Sequence, residues 1–171
     1  VPPDFIARQM EVVLRDIGAD ALKTGMLADA AVIETVAATI EREAPDVPLV
    51  ADPVMVAKGG ARLLDEGAVD SLKTRLAPLA AVLTPNLPEA EALLGRKIAA
   101  DDMEDAARAL LALGPRAVLL KGGHLQGPEV VDVLATADAL ERFVSPRIDT
   151  PHTHGTGCTL ASAVAAGLAQ G

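Results

Sequence analysis

The chain predicts an α/β domain: a mostly parallel sheet with helices on both faces, closed by an antiparallel edge hairpin. Short apolar runs alternate with amphipathic stretches through most of the length, the pattern of repeated strand–helix–strand units. Two late runs, Val130–Ala135 and Leu140–Val144, lie too close in sequence for a crossover helix and must pair antiparallel. A length of 171 residues suits one domain burying roughly 70% of its unfolded surface. No internal repeat, low-complexity tract or flexible linker divides it.

The elements follow in order. A first helix over about Asp4–Ile17 carries Ile6, Met10, Val13 and Ile17 at helical spacing. A strand near Ala21–Thr24 follows, then a helix near Asp29–Glu43 with Ile33, Val36, Ala37 and Ile40 on its apolar stripe. Pro48–Ala51 is the next strand, ended by Asp52. Leu64, Ala68, Leu72 and Leu76 mark a helix, Ala81–Thr84 a strand, and Met103, Ala107, Leu110 and Gly114 a further helix and its stop. Ala117–Lys121 is the fourth strand, and a small-residue helix behind Gly157 closes the chain. Both ends read as cut: the chain opens without methionine at a helix start and stops inside an apolar helix.

Composition narrows the function. The net charge of −9 opposes a broad phosphate-backbone interface, and the only two aromatics, Phe5 and Phe143, offer no platform for stacking bases. Nucleic acid is therefore not an expected partner. Apolar runs are short and broken by charge, so neither a membrane span nor a signal h-region is expected. The single cysteine cannot form an internal disulfide, which fits a cytoplasmic location. Ala-rich and Val-rich stretches allow a homodimer.

The most informative stretch is Thr150–Leu160, which sets Cys158 directly behind Gly155-Thr156-Gly157 at the start of the last helix. First-turn N–H groups lack internal partners and the helix dipole adds partial positive charge, so this turn favours phosphate oxygens and a thiolate. The alternative is a small buried hydrophobe behind an ordinary turn. Leu160 stands where a dinucleotide fingerprint needs glycine, and no Walker-type phosphate loop occurs.

In open α/β sheets, ligands bind outside the carboxyl ends of the strands. Four strands end in polar clusters: Lys23-Thr24-Gly25-Met26, Asp52-Pro53-Val54-Met55, Thr84-Pro85-Asn86-Leu87-Pro88-Glu89 and Lys121-Gly122-Gly123-His124. Asp52 either aims its carboxylate at a hydrated Mg²⁺ or is a solvated turn residue. Asn86 and Glu89 have capping-box spacing, which alone explains both. Lys121 either lies along nucleotide phosphates or is an exposed strand-end lysine. Lys58-Gly59-Gly60 is a phosphate-facing loop or a turn. Met26, Val54 and Met55 line a flat-ring pocket or pack in the core. His124, His152 and His154 do not make a zinc set.

Taken in order, Lys-Thr-Gly-Met-Leu from Lys23, Asp-Pro-Val-Met-Val-Ala-Lys from Asp52, Thr-Pro-Asn-Leu-Pro-Glu-Ala-Glu from Thr84, Lys-Gly-Gly-His from Lys121 and His-Thr-His-Gly-Thr-Gly-Cys-Thr-Leu from His152 closely resemble the hydroxymethylpyrimidine/phosphomethylpyrimidine kinases. These belong to the ribokinase-like superfamily, and the resemblance runs from near Pro3 to near Ala166. It implies a single three-layer α/β/α kinase domain over residues 1–171, lacking N-terminal substrate-binding and C-terminal nucleotide-binding segments. It also implies ATP- and Mg²⁺-dependent phosphorylation of a hydroxymethylpyrimidine and then of its monophosphate in thiamine biosynthesis.

By the same resemblance, Gly155, Thr156, Gly157 and Cys158 match the anion hole and catalytic position. Asp52 and Glu89 match the metal region, Asn86, Glu89 and Lys121 the ATP side, and Met26 and Val54 the pyrimidine pocket. The family commonly has Ser-Gly-Asp where this chain has Gly59, Gly60 and Ala61. Most relatives in the superfamily carry an aspartate base where Cys158 stands. A thiol there could deprotonate the hydroxymethyl group in the first step without repelling the phosphate acceptor of the second. Alternatives are a pyridoxal kinase, a non-catalytic pyrimidine-binding module, and one part of a fusion with another thiamine-pathway domain.

Overall fold

The structure, a computed structural model, describes residues 1–55 and 66–171. Lys58, Gly59, Gly60, Ala61 and Leu64 therefore lie outside the described residues. Strands β1 (Leu22–Thr24), β2 (Leu49–Ala51), β3 (Ala80–Leu83), β4 (Ala117–Leu120), β5 (Glu129–Thr136) and β6 (Leu140–Pro146) form one sheet in sequence order. The first four run parallel, and β5 and β6 return antiparallel as the expected hairpin.

Consecutive parallel strands joined by right-handed crossovers place every crossover helix on the same face. That face carries α2 (Ala30–Glu43), α3 (Glu66–Ser71), α4 (Leu87–Leu94) and α5 (Met103–Leu111). Ile33, Val36, Ala37 and Ile40 of α2 join Leu49, Leu83, Leu93, Leu110, Val118 and Leu120 in one large aliphatic core. The expected positions Ala68, Leu72 and Leu76 are buried there, although Leu72–Leu76 winds as a π-helical turn and Ala77–Leu79 as a 3₁₀ turn.

Helix ends obey local chemistry. Asp29 caps α2 by accepting from the Val32 N–H at 2.9 Å. Asn86 and Glu89 form the capping box of α4, which stops at Gly95 with φ +67°.

The opposite face is covered by α6 (Thr156–Gln170) alone among the described helices. Its Ala161 and Ala165 bury against Val50 and Val82, with Ala21, Ala117, Leu119 and Val164 around them. Small residues let the helix axis lie close to the sheet.

Helix α1 (Pro3–Asp16) packs on α2 rather than on the sheet. Ile6 and Met10 reach the core as expected, but Val13 and Ile17 do not: they are 51% and 80% exposed. Ion pairs from Arg15 to Glu43 and from Arg42 to Glu11 fix the helix with those two side chains outward. No described helix is long and apolar enough to cross a membrane.

Candidate active site

Alternation along each strand decides what reaches the α6 face. Ala21, Val50, Val82 and Leu119 belong to the cluster under α6, so the residues two positions later share their side of the sheet. Those residues are Lys23, Asp52, Thr84 and Lys121, one at the carboxyl end of each parallel strand. Four separate sequence segments thereby deliver polar groups to one edge.

Asp52 is the centre of the row and is only 3% exposed. Its Oδ1 accepts from Lys121 Nζ at 2.9 Å and from Thr84 Oγ1 at 3.2 Å, while Lys23 Nζ stands 3.9 Å from Oδ2. Lys121 reaches Asp52 across β3 because Thr84, between them, is short. A buried carboxylate is costly unless it is paired and hydrogen-bonded, and this one is both.

The glycine turn adjoins the same cluster. A Cβ built on Gly157 would lie 3.3 Å from Lys121 Nζ, so the lysine head sits against the turn backbone. Gly155 has φ +80°, a left-handed conformation suited to glycine, and no side chain caps α6. The first-turn N–H groups of Thr156, Gly157 and Cys158 thus have no intrahelical acceptor. Thr156 Oγ1 donates to the Thr153 carbonyl and Thr159 Oγ1 to the Gly155 carbonyl, both at 3.0 Å, tying the turn together. Cys158 is exposed, not a buried small hydrophobe.

Glu89 is also buried, with Oε2 accepting from the Asn86 N–H at 2.8 Å and Oε1 from the Met55 N–H at 3.4 Å. Burial pushes its carboxyl pKa up, opposed by the Asn86 N–H and the charge of Lys121. Asn86 Oδ1 accepts from the Glu89 N–H, and Asn86 pairs with Lys121 in an isolated parallel bridge. Capping therefore occupies both residues and also brings them beside the lysine.

The apolar candidates separate. Met55 belongs to the core, Val54 is half-buried and Met26 is 55% exposed. Among the described residues no group of three or more His, Cys, Asp or Glu side chains gathers as a metal cluster. Lys23 and Thr84 were not singled out by their residue types. The available signal was strand alternation, which assigns a face only once the neighbouring apolar positions are known to lie under α6.

The sequence model of the family described as phosphomethylpyrimidine kinase matches residues 1–171. The chain is 55% identical over 172 residues to the thiamine biosynthesis bifunctional protein ThiED of Geobacter sulfurreducens, covering 100% of this chain and 35% of that protein. It is 48% identical over 172 residues to the hydroxymethylpyrimidine/phosphomethylpyrimidine kinase of Streptomyces coelicolor, covering 100% and 63%. Among solved structures, an ADP complex of Bacillus subtilis pyridoxal kinase matches with a TM-score of 0.90 at 41% identity, over 100% of this chain and 64% of that one. The phosphomethylpyrimidine kinase of Clostridium difficile 630 matches with a TM-score of 0.86 at 39% identity, over 100% and 69%. The chain thus spans less than two thirds of the length of both curated relatives. Whole-length similarity and the shared ribokinase-like architecture agree: the chain belongs to the phosphomethylpyrimidine kinase family.

Proposed function

We propose that the protein phosphorylates 4-amino-5-hydroxymethyl-2-methylpyrimidine, and then its monophosphate, at the expense of ATP. The observation that carries this reading is the junction of Asp52, Lys121 and the Gly155–Gly157 turn, where a cation, a carboxylate and free backbone donors meet at one strand edge. A curated relative at 48% identity bears the name of that activity.

Phosphoryl transfer asks mainly for positioning and charge neutralisation. The Thr156, Gly157 and Cys158 N–H groups receive the transferring phosphoryl oxygens, and Lys121 lies against them as a point charge. Asp52 and Glu89 are the buried carboxylates at this edge, oxygen donors of the kind Mg²⁺ takes. Asp52 Oδ1 is already shared by Lys121 and Thr84, and Asp52 and Glu89 are the residues that would hold the ion. A divalent ion held there would supply neutralisation of charge on the phosphates. Met26 and Val54 contribute to the ring pocket.

Acting as the thiolate, Cys158 Sγ takes the proton of the hydroxymethyl oxygen and becomes the neutral thiol, as that oxygen bonds to phosphorus and the bond from phosphorus to the ADP oxygen breaks. The monophosphate is already an anionic nucleophile, so the second step needs no base, and a neutral thiol does not repel it. Cys158→Ala in the full-length protein is accordingly expected to slow the first step by about 10²-fold or more and the second far less. Equal losses in both steps would remove the cysteine from proton transfer.

The deciding assay is ADP release with Mg-ATP and hydroxymethylpyrimidine, its monophosphate or pyridoxal. Turnover of both pyrimidines supports the proposal. Turnover of pyridoxal alone supports the second reading, which the TM-score of 0.90 to a pyridoxal kinase keeps in view. No turnover with any acceptor would reject both.

A further inference from the structure

Lys121 is the last sheet residue before a glycine loop, and its reach depends on how that loop is held. The loop leaves β4, passes Gly122, Gly123, His124 and Leu125, and returns at Glu129 into β5. Two side chains outside the proposed chemistry hold it. From β5, Asp132 Oδ1 accepts the Gly122 N–H at 2.8 Å. From the end of β6, Arg147 fills the loop: its Nε donates to the Gly127 carbonyl at 2.8 Å, and its terminal nitrogens donate to those of Gly123 at 3.1 Å, Leu125 at 2.5 Å and Glu129 at 3.5 Å. Its own N–H donates to the Pro128 carbonyl at 2.7 Å.

A planar fork of donors suits this task, because one guanidinium can satisfy several carbonyls that would otherwise compete for water. Gly122 shows how tightly the loop is drawn in. A Cβ there would collide with the Val131 carbonyl oxygen, so only glycine fits at the point where Asp132 takes hold. The Lys121 N–H in turn donates to the Pro85 carbonyl at 2.9 Å. Lys121 is thus anchored on the β3 side by its own backbone and on the β5 side by its neighbour's.

We propose that Arg147 and Asp132 are positioning residues that hold the Lys121 ammonium between Asp52 and the Gly155–Gly157 turn. This rests on the proposed role of Lys121 at the phosphates. The test uses the full-length protein with Asp132→Ala, Asp132→Asn, Arg147→Met and Arg147→Lys, each also combined with Lys121→Met. Two readouts are taken: kcat and KM for ATP, and the ¹³C chemical shift of the Lys121 ε-carbon at one fixed pH, assigned with Lys121→Met.

Loss of positioning predicts that Asp132→Ala and Arg147→Met lower kcat/KM by about tenfold to a hundredfold. It also predicts a changed Lys121 ε-carbon chemical shift, and no further loss when either is added to Lys121→Met. Asp132→Asn keeps an acceptor for the Gly122 N–H and is expected to restore most of both readouts. Losses that multiply with Lys121→Met, or an unchanged Lys121 ε-carbon chemical shift, would overturn the proposal. Should Asp132→Ala or Arg147→Met fail to fold, Arg147→Lys, which keeps the charge but loses the fork of donors to the Gly127, Gly123 and Leu125 carbonyls, carries the same comparison in milder form. A wild-type protein inactive on every acceptor would reject the kinase reading alone, because the NMR readout decides the positioning claim without turnover.

Discussion

The two faces of the sheet divide the labour of the chain. On the face of α2 to α5, Ile33, Leu83, Leu93 and Leu110 are fully or almost fully buried in a continuous aliphatic core. On the face of α6 the buried apolar residues among those described are Val50, Val82, Ala161 and Ala165, and the strands end in Lys23, Asp52, Thr84 and Lys121. Hydrophobic burial scales with apolar area, so stability concentrates on the first face. The second face accepts a thin apolar contact and places its charges where a phosphate would arrive. A chain built this way should lose stability and activity through different residues.

Leu83→Ala is the strongest test on the core side. It removes a fully buried side chain and is expected to cost about 2–5 kcal/mol in chemical denaturation, with activity retained in whatever remains folded. Lys121→Met on the opposite face is expected to cut kcat/KM by about 100-fold, equivalent to about 2.7 kcal/mol, and to lower the unfolding midpoint less than Leu83→Ala, because Lys23 and Thr84 remain beside the buried Asp52 carboxylate. Large stability loss from Lys121→Met would break the division. Ala161→Leu, which overfills the α6 contact, should cost about 1–3 kcal/mol and also disturb activity, because α6 carries the glycine turn at its start.

The smallest effect is a pH dependence far from the site. Hydrogen bonds from Arg15 and then Arg42 lower the Glu43 carboxyl pKa to about 2. A depressed folded-state pKa gives stability that is present above the ordinary glutamate value and lost as pH falls towards about 2. Glu43→Gln should therefore flatten the acid limb of the melting temperature between about pH 5 and about pH 2. Kinetics near neutral pH should not change, which would sharpen the contrast with Lys121→Met.

Much of this was readable before any coordinates. Helical spacing located α2 and α5, the Asn86/Glu89 pair announced the start of α4, and the short connection after Ala135 required the hairpin. These are local signals, each confined to a few neighbouring residues. The α1 stripe misled because Val13 and Ile17 have the right period, yet the helix docks through Ile6 and Met10 and its ion pairs to α2. Lys23 and Thr84 were legible as members of strand-end clusters but not as partners of Asp52, and Asp132 and Arg147 were not legible at all, because their partners lie on other strands and only the sheet order brings them together.

Strand order also sets a length scale. Neighbouring strands lie about 4.8 Å apart, so the backbone row from Lys23 to Lys121 works as a ruler about 14 Å long, with Asp52 and Thr84 as its inner marks. Inserting one residue into any of the four parallel strands would not shift a mark along this ruler. It would turn that mark over to the aliphatic face, so insertions should abolish the row in whole steps rather than detune it by degrees.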